Sequence, residues 1–270
     1  MRPAVLRRGT RSAAVAAALR WGASRLPFVE DEVAGLARLV PPGSVCVDIG
    51  AEYGLYTWVL ADLTGPAGRV HSVEPLPGPA RWLRTTARIL GSAQVTIHRT
   101  ALAAGPGRGL MSLPRRRGLP VHGRAYLTEG ADGPGPNREF RAERRVPVPV
   151  RTLDQLAEAA GDPPIGFVKA DVEGAELAVL RGGSRTLARH RPTLLLEIED
   201  RHLAKYGAHP TDLLRHLAGY GYRAHRWTGH RWTEVDRITD DCRNYLFRAP
   251  HRPADAEDRA GRTDRGRTSV

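Results

Sequence analysis

A doubly wound α/β domain, with a mostly parallel sheet and helices on both faces, is the fold this sequence predicts. Three observations predict it. Strand-like and helix-like stretches alternate from Ser44 to Ala218, the rhythm of strands joined by crossover helices. The run Val45-Cys46-Val47-Asp48-Ile49 breaks into a loop carrying Gly50 and Gly54 and then into a helix, a shape suited to nucleotide-like cofactors. An acidic residue, Glu74, closes the next apolar run, Arg69 to Val73. The 270 residues can bury one full core, for which roughly 200 suffice in a fold of this kind.

The elements follow in order. Residues 1–42 read as an N-terminal helical segment that stops at Pro41-Pro42, because proline cannot continue a helix. A domain over 43–249 begins with a strand at Ser44 to Ile49 and a helix from about Tyr56 to Leu63. A strand at Arg69 to Val73 precedes a helix from Pro77 that stops at Gly91, a residue suited to a helix C-terminus. Gln94 to His98 is the third strand. Between about 105 and 145 the alternation fails, and Gly, Pro and Arg dominate. That insertion is either a mobile lid over a substrate or a solvated loop with no role.

Val146-Pro147-Val148-Pro149-Val150 alternates like a strand, and its prolines confine it to a sheet edge. Thr152 and Gln155 form a capping box opening a helix through Ala160. Ile165 to Ala170 is a strand, with its helix starting near Gly174; Ser184 caps another helical turn. Pro192 precedes the strand Thr193 to Ile198, and Thr211 caps a helix to Ala218. Tyr222 to Trp227 and Asn244 to Arg248 complete the strands, and residues 250–270 read as a disordered polar tail.

The net charge of +12 invites a nucleic-acid reading. Against it, Lys169 and Lys205 are the only lysines and the arginines are spread along the chain. With the Ala, Gly and Pro content this reads as a coding bias, not a phosphate-binding face. The two cysteines, Cys46 and Cys242, fall in predicted strands and lack metal-ligand spacing, which points to a reduced, cytoplasmic protein. Arg7-Arg8 followed by Ala13 to Leu19 resembles a very short signal sequence, but no cleavage site follows and arginine returns at Arg20 and Arg25. No apolar run reaches membrane-spanning length, so no membrane partner is expected.

The glycine loop has the spacing Asp48-x-Gly50-x-x-x-Gly54, with Glu52 where a dinucleotide fingerprint would have its middle glycine. That argues against nicotinamide or flavin and for S-adenosylmethionine, which has no pyrophosphate but carries a sulfonium and an α-ammonium. Asp48 at the strand end is placed to hold the ammonium, directly or through water. Glu74, roughly twenty residues beyond the loop, is placed to bridge two ribose hydroxyls. Tyr56 is assigned to the cofactor edge and Trp58 to the core.

Further residues carry a resemblance. Val47-Asp48-Ile49-Gly50-Ala51, Tyr56-Thr57, Val73-Glu74-Pro75, Thr152-Leu153-Asp154 and Lys169-Ala170-Asp171-Val172-Glu173-Gly174-Ala175-Glu176 stand in one order with Val179-Leu180-Arg181-Gly182, Arg191-Pro192, Leu196-Glu197-Ile198 and Asn244-Tyr245-Leu246-Phe247. Over residues 43–248 the chain resembles the FkbM-type methyltransferases, S-adenosylmethionine-dependent enzymes that mostly methylate hydroxyls on natural products or sugars. The resemblance implies a class I methyltransferase-like Rossmann sheet of seven strands with an antiparallel last strand. It also adds Thr57 to the cofactor-binding set. Departures exist. Glu52, counted with the cofactor-binding residues, replaces the family's usual Asn and puts a carboxylate beside the cofactor's methionine end, either to serve the ammonium or to weaken binding. Thr86 and Leu90 replace asparagines, and Ala104 stands where an acid often follows the third strand.

Ligands of such sheets bind beyond the carboxyl ends of the strands, where Asp171, Glu173, Glu197 and Glu199 fall. Three readings stay open. Asp171 orients or deprotonates an acceptor hydroxyl, with Glu173 or Glu197 assisting. Alternatively the carboxylates hold a divalent cation, although no metal is assigned. Or Glu173 and Glu176 support a helix N-terminus. His202, just past the strand ending in Ile198, is a candidate base. The expected activity is O-methylation of a small-molecule hydroxyl. The rival expectations are a non-catalytic binding protein on the same fold, a nicotinamide-dependent oxidoreductase and an RNA methyltransferase.

Overall fold

The computed structural model describes residues 8–23 and 31–250. The tail expected over 250–270 falls, from residue 251, outside the described residues, as do residues 1–7 and 24–30 of the N-terminal segment. That segment contains helix α1 (Arg8–Ala23) and a 3-10 helix (Asp31–Arg38).

Strand β1 (Val45–Ile49), helix α2 (Leu55–Thr64), strand β2 (Arg69–Val73), helix α3 (Pro77–Leu90) and strand β3 (Val95–His98) follow as the pattern predicts. Strand β4 (Ala101–Leu102) precedes the stretch expected to be a loop, which instead contains β5 (Gly107–Arg116), β6 (Leu119–Pro120) and β7 (Tyr126–Leu127). The strand expected at Val146–Val150 is the second half of β8 (Ala142–Arg151). Helix α4 (Leu153–Ala159), strand β9 (Ile165–Ala170), helices α5 (Glu176–Arg181) and α6 (Ser184–Arg189) and strand β10 (Thr193–Glu197) resume the alternation. Helices α7 (Asp200–Leu203) and α8 (Pro210–Ala218) and strands β11 (Arg223–Trp227), β12 (Trp232–Val235) and β13 (Asn244–Arg248) complete it.

The main sheet has eight strands in the order β12-β11-β13-β10-β9-β1-β2-β3. Strands β3, β2, β1, β9 and β10 are mutually parallel, and β13 inserts antiparallel between β10 and β11. The expected antiparallel last strand is therefore present, whereas the expected count of seven is one short. The extra strand β12 folds back on β11 after a turn closed by the Thr228 N–H donating to Arg231 O at 3.0 Å. Only four residues long and polar at Thr233 and Glu234, it has too little apolar pattern to read in sequence.

Alternation of side chains divides the core into two layers. Val47, Ile49, Leu194, Leu196, Tyr245 and Phe247 face α4, α5, α6 and α8. Cys46, Val70, Phe167, Leu195 and Leu246 face the 3-10 helix, α2 and α3. Burial of each such leucine or phenylalanine contributes about 2 kcal/mol, which is what holds the sheet between its helices.

Residues 101–151 make a second, five-stranded sheet, β4-β8-β5-β6 with β7 on β5. Periodicity is hidden in β5, which mixes Gly109 and Pro114 with its apolar residues. The alternation at Val146–Val150, by contrast, marks β8, which lies between β4 and β5 and not at the sheet edge its prolines predict. Pro149 directs its carbonyl to the Thr100 hydroxyl, 2.9 Å away and on the side opposite β5. The missing proline N–H therefore falls outside the β5 ladder. Val146, Val148 and Val150 face inward with Met111, Leu113 and Leu127.

Three further expectations are corrected. Ser184 does not cap α6 but is its first residue, after Gly183. Helix α8 is capped by His209 with Asp212, not by Thr211, which lies inside it. Cys242 stands before β13 rather than in a strand.

Candidate active site

The carboxyl ends of β1, β2 and β9 open into a cleft of about 690 Å³. Its floor and near wall are Ile49, Gly50, Glu52, Val73, Glu74, Asp171 and Glu173, and its far wall is Met111, His122, Gly123, Ala125 and Leu127 from the second sheet. None of the far wall was readable in sequence, because those residues reach the cleft only through pairing between distant strands.

Local backbone demands shape the floor. Gly50 has φ +80°, and a Cβ there would lie 1.8 Å from the Asp171 carbonyl oxygen. The β1 and β9 loops thus touch backbone to backbone, with the Asp171 N–H donating to Ile49 O at 3.0 Å. Gly54, also at positive φ, is required by packing: a Cβ would meet the Trp58 indole at 2.5 Å and Leu83 at 2.9 Å. Gly54 does not line the cleft.

Glu74 is buried and braces the glycine loop. One oxygen accepts from the Glu52 N–H at 3.0 Å and the other from the Leu76 N–H at 2.7 Å. Burial pushes its pKa up to about 7, against the lowering effect of those two amides. Each oxygen retains a further lone pair for a ligand.

Asp48, Thr57 and Tyr56 sit beneath the cleft instead of lining it. The Thr57 hydroxyl donates to Asp48 at 2.5 Å and lies 2.9 Å from Ser72 Oγ. Burial raises the Asp48 pKa to about 6, opposed by the Thr57 hydrogen bond and the Lys169 charge. Lys169 is buried over the Tyr56 ring, 5.0 Å from its centroid, and donates to Asn244 at 3.1 Å.

Glu52 turns at φ +45° and brings its carboxylate to the Gly123 backbone of the second sheet. Burial raises its pKa, and the charges of Asp171 and Glu173 add to the effect. Glu173, at φ +57°, fronts the cleft with His202 Nδ1 in direct contact behind it. Arg124, in the 3-10 turn His122–Arg124 between β6 and β7, approaches Glu173 at 3.9 Å.

His202 is buried and lines a small recess behind the cleft, with Glu176, Glu197 and Glu199. Glu197 and His202 share the recess, Asp171 lines the cleft, and Glu173 lines both. Glu176 accepts the N–H groups of Val172 and Gly174 at 3.1 and 3.2 Å, so it braces the loop before α5 and not the helix N-terminus itself. Among the described residues no group of three or more His, Cys, Asp or Glu is placed to hold a metal ion. No described helix is long and apolar enough to cross a membrane.

Comparison with known proteins follows the same lines. Among curated protein sequences none matches the chain. A crystal structure of an FkbM methyltransferase from Methylobacillus flagellatus KT shares 21% identity at a TM-score of 0.50, over 83% of this chain and 47% of that one. This chain therefore spans about half the length of that relative. An S-adenosylmethionine-dependent O-methyltransferase from Thermotoga maritima matches at 13% identity and a TM-score of 0.42, over 83% of this chain and 67% of that one. Aeropyrum pernix fibrillarin, solved with S-adenosylmethionine, matches at 15% identity and 0.44, over 85% and 76%. Likeness at these identities speaks to fold alone. Residues 48–224, well over half of the chain, match the model of the FkbM methyltransferase domain. From Asp48 in β1 through Glu74, the β9 loop and on into β11, the chain belongs to the FkbM methyltransferase family, whose methyl donor is S-adenosylmethionine.

Proposed function

We propose that the protein transfers a methyl group to a hydroxyl of a small molecule, a saccharide or secondary metabolite. One observation carries this reading: Glu52, Glu74, Asp171 and Glu173 line a single cleft, and Glu52 is raised in pKa partly by the charges of Asp171 and Glu173. Such mutual repulsion is relieved by a cationic ligand. S-adenosylmethionine, with its sulfonium and ammonium, fits that donor set. Bound there, it supplies an electrophilic methyl group.

The residues then divide the work. Glu74, already fixed by two amides, would hold the ribose diol, and Glu52 would hold the ammonium. Asp171 takes the proton that the acceptor hydroxyl loses, with Glu173 beside it and His202 positioning Glu173 from behind. The second-sheet wall excludes water, and holding the acceptor in line is the main source of acceleration.

Calorimetric titration with S-adenosylhomocysteine tests the cofactor assignment. Binding is expected for the native protein and is expected to weaken at least about tenfold in Glu74→Ala. Absence of binding by the native protein at millimolar ligand would sink the reading. Binding without transfer to any hydroxylated acceptor would favour the non-catalytic alternative.

A further inference from the structure

Next to the cleft lies a groove of about 980 Å³ lined by Leu76, Pro77, Leu113, Pro120 and Val146, with Arg81, Arg115 and Arg144 among them. Leu76 and His122 line both spaces, so a ligand in the groove abuts one in the cleft. The electrostatics of the two differ sharply. Four carboxylates line the cleft; no acidic side chain lines the groove, which has three guanidinium groups.

The arginines converge from elements far apart in sequence. Leu113 pairs in register with Arg144 across β5 and β8, and Arg115 follows Leu113 on the same face. Arg81 comes from the first turns of α3, opposite them. Arg115 is held by two hydrogen bonds to the Gly118 carbonyl, at 3.0 and 2.5 Å, which orient the guanidinium without neutralising it. His122 stands at the boundary, with Nδ1 3.0 Å from the Tyr53 hydroxyl. Its other ring nitrogen lies 3.9 Å from where a Cβ on Gly78 would be. The post between the two spaces is therefore bonded to the glycine loop and stands beside the start of α3.

We propose that this groove binds the methyl acceptor through an anionic group, so that the acceptors are hydroxylated compounds bearing a carboxylate or phosphate on an apolar or ring body. The inference rests on the methyltransferase reading and adds the acceptor's chemical class. Guanidinium groups recognise carboxylate and phosphate alike through paired N–H donors. The apolar walls receive the body of the ligand, and the groove's opening at Leu76 and His122 leaves its hydroxyl toward Asp171. A cationic donor in an acidic cleft and an anionic acceptor in a basic groove also exclude each other's sites.

The test titrates the full protein, saturated with S-adenosylhomocysteine, with matched probes: 4-hydroxybenzoate against 4-hydroxybenzyl alcohol, glucose 6-phosphate against glucose, and inorganic phosphate alone. At least one organic anion is expected to bind about tenfold or more tightly than its neutral partner and than inorganic phosphate. The carboxylate and phosphate arms identify which group is preferred. Arg81→Gln with Arg144→Gln is expected to remove that preference, Arg81→Lys with Arg144→Lys to restore part of it, and Arg138→Gln, outside the groove, to leave it intact. S-adenosylhomocysteine affinity serves as the folding control. The proposal is overturned if no organic anion outbinds its neutral partner. It is also overturned if inorganic phosphate binds as well (an adventitious ion only) or the double glutamine variant keeps the preference. Repeating the titrations without S-adenosylhomocysteine separates the two readings: anion preference with no cofactor binding would fail the methyltransferase assignment and leave the groove standing.

Discussion

Two buried carboxylates at the ends of neighbouring strands serve different ends. Glu74 accepts two loop amides and lines the cleft, whereas Asp48 is closed off beneath it by Thr57. Asp48 therefore contributes to stability in a pH-dependent way. Its pKa rises from 3.8 to about 6, chiefly through burial, so between those values the folded state binds the proton more tightly than the unfolded state. Stability from this group is greatest below about pH 4, falls as pH rises to about 6, and is level above. Asp48→Asn, which cannot titrate, should gain on the native protein by on the order of 2 kcal/mol between pH 4 and pH 7.5. Urea unfolding at the two values measures this, and an unchanged gap would mean that Asp48 stays ionised throughout. Glu176, raised to about 7 by burial, acts with the same sign.

At the level of elements, several residues that carry the family resemblance cap a helix, tie helices together or let loops touch. Thr152 accepts from the Gln155 N–H at 3.0 Å while the Gln155 side chain accepts from the Thr152 N–H at 3.2 Å. Asp154 accepts from the Arg185 and Thr186 N–H groups at 3.0 and 2.8 Å and from the Thr186 hydroxyl at 2.7 Å, tying α4 to α6. A Cβ on Gly182 would lie 2.1 Å from the Ala103 carbonyl oxygen, so that glycine lets the two chains touch. Thr152→Ala should cost about 1 kcal/mol without changing S-adenosylhomocysteine affinity. A loss of affinity larger than the loss of stability would show that α4 shapes the cleft directly. The helices and most strands were legible because each satisfies a local rule, such as the capping box at Thr152 or the proline start of α3. Strands β5 to β7 were not, because their apolar residues are interrupted by glycine and proline and form a continuous face only when Val146, Val148 and Val150 of β8 meet Met111 and Leu113.

The whole molecule places the cleft between two sheets, so a bound ligand touches both. Glu52 links them through Gly123, and Arg124 reaches Glu173 from the turn between β6 and β7. Hydrogen exchange with S-adenosylhomocysteine present should slow at Gly50–Gly54 and also at His122–Leu127. Protection of the first segment alone would show that the second sheet plays no part in ligand binding. The same architecture sets the acidic cleft beside the arginine-lined groove, a division of charge that the overall net charge of +12 conceals.

The parallel strands, the glycine loop, Glu74 at the end of β2 and the family itself were all present in the linear sequence. They depend on periodicity, glycine placement and motif order, which act over a few residues. The separation of Glu52, Glu74, Asp171 and Glu173 in the cleft from Asp48, Tyr56 and Thr57 beneath it came with the folded chain. So did the placing of Glu197 and His202 in a recess that meets the cleft at Glu173. Burial and access belong to packing, and no local pattern encodes which side of a loop a neighbouring sheet will cover. The second sheet's wall over the cleft, and the meeting of Arg81 with Arg115 and Arg144, arise from strand pairing between residues far apart in sequence, a register that long-range apolar contacts select.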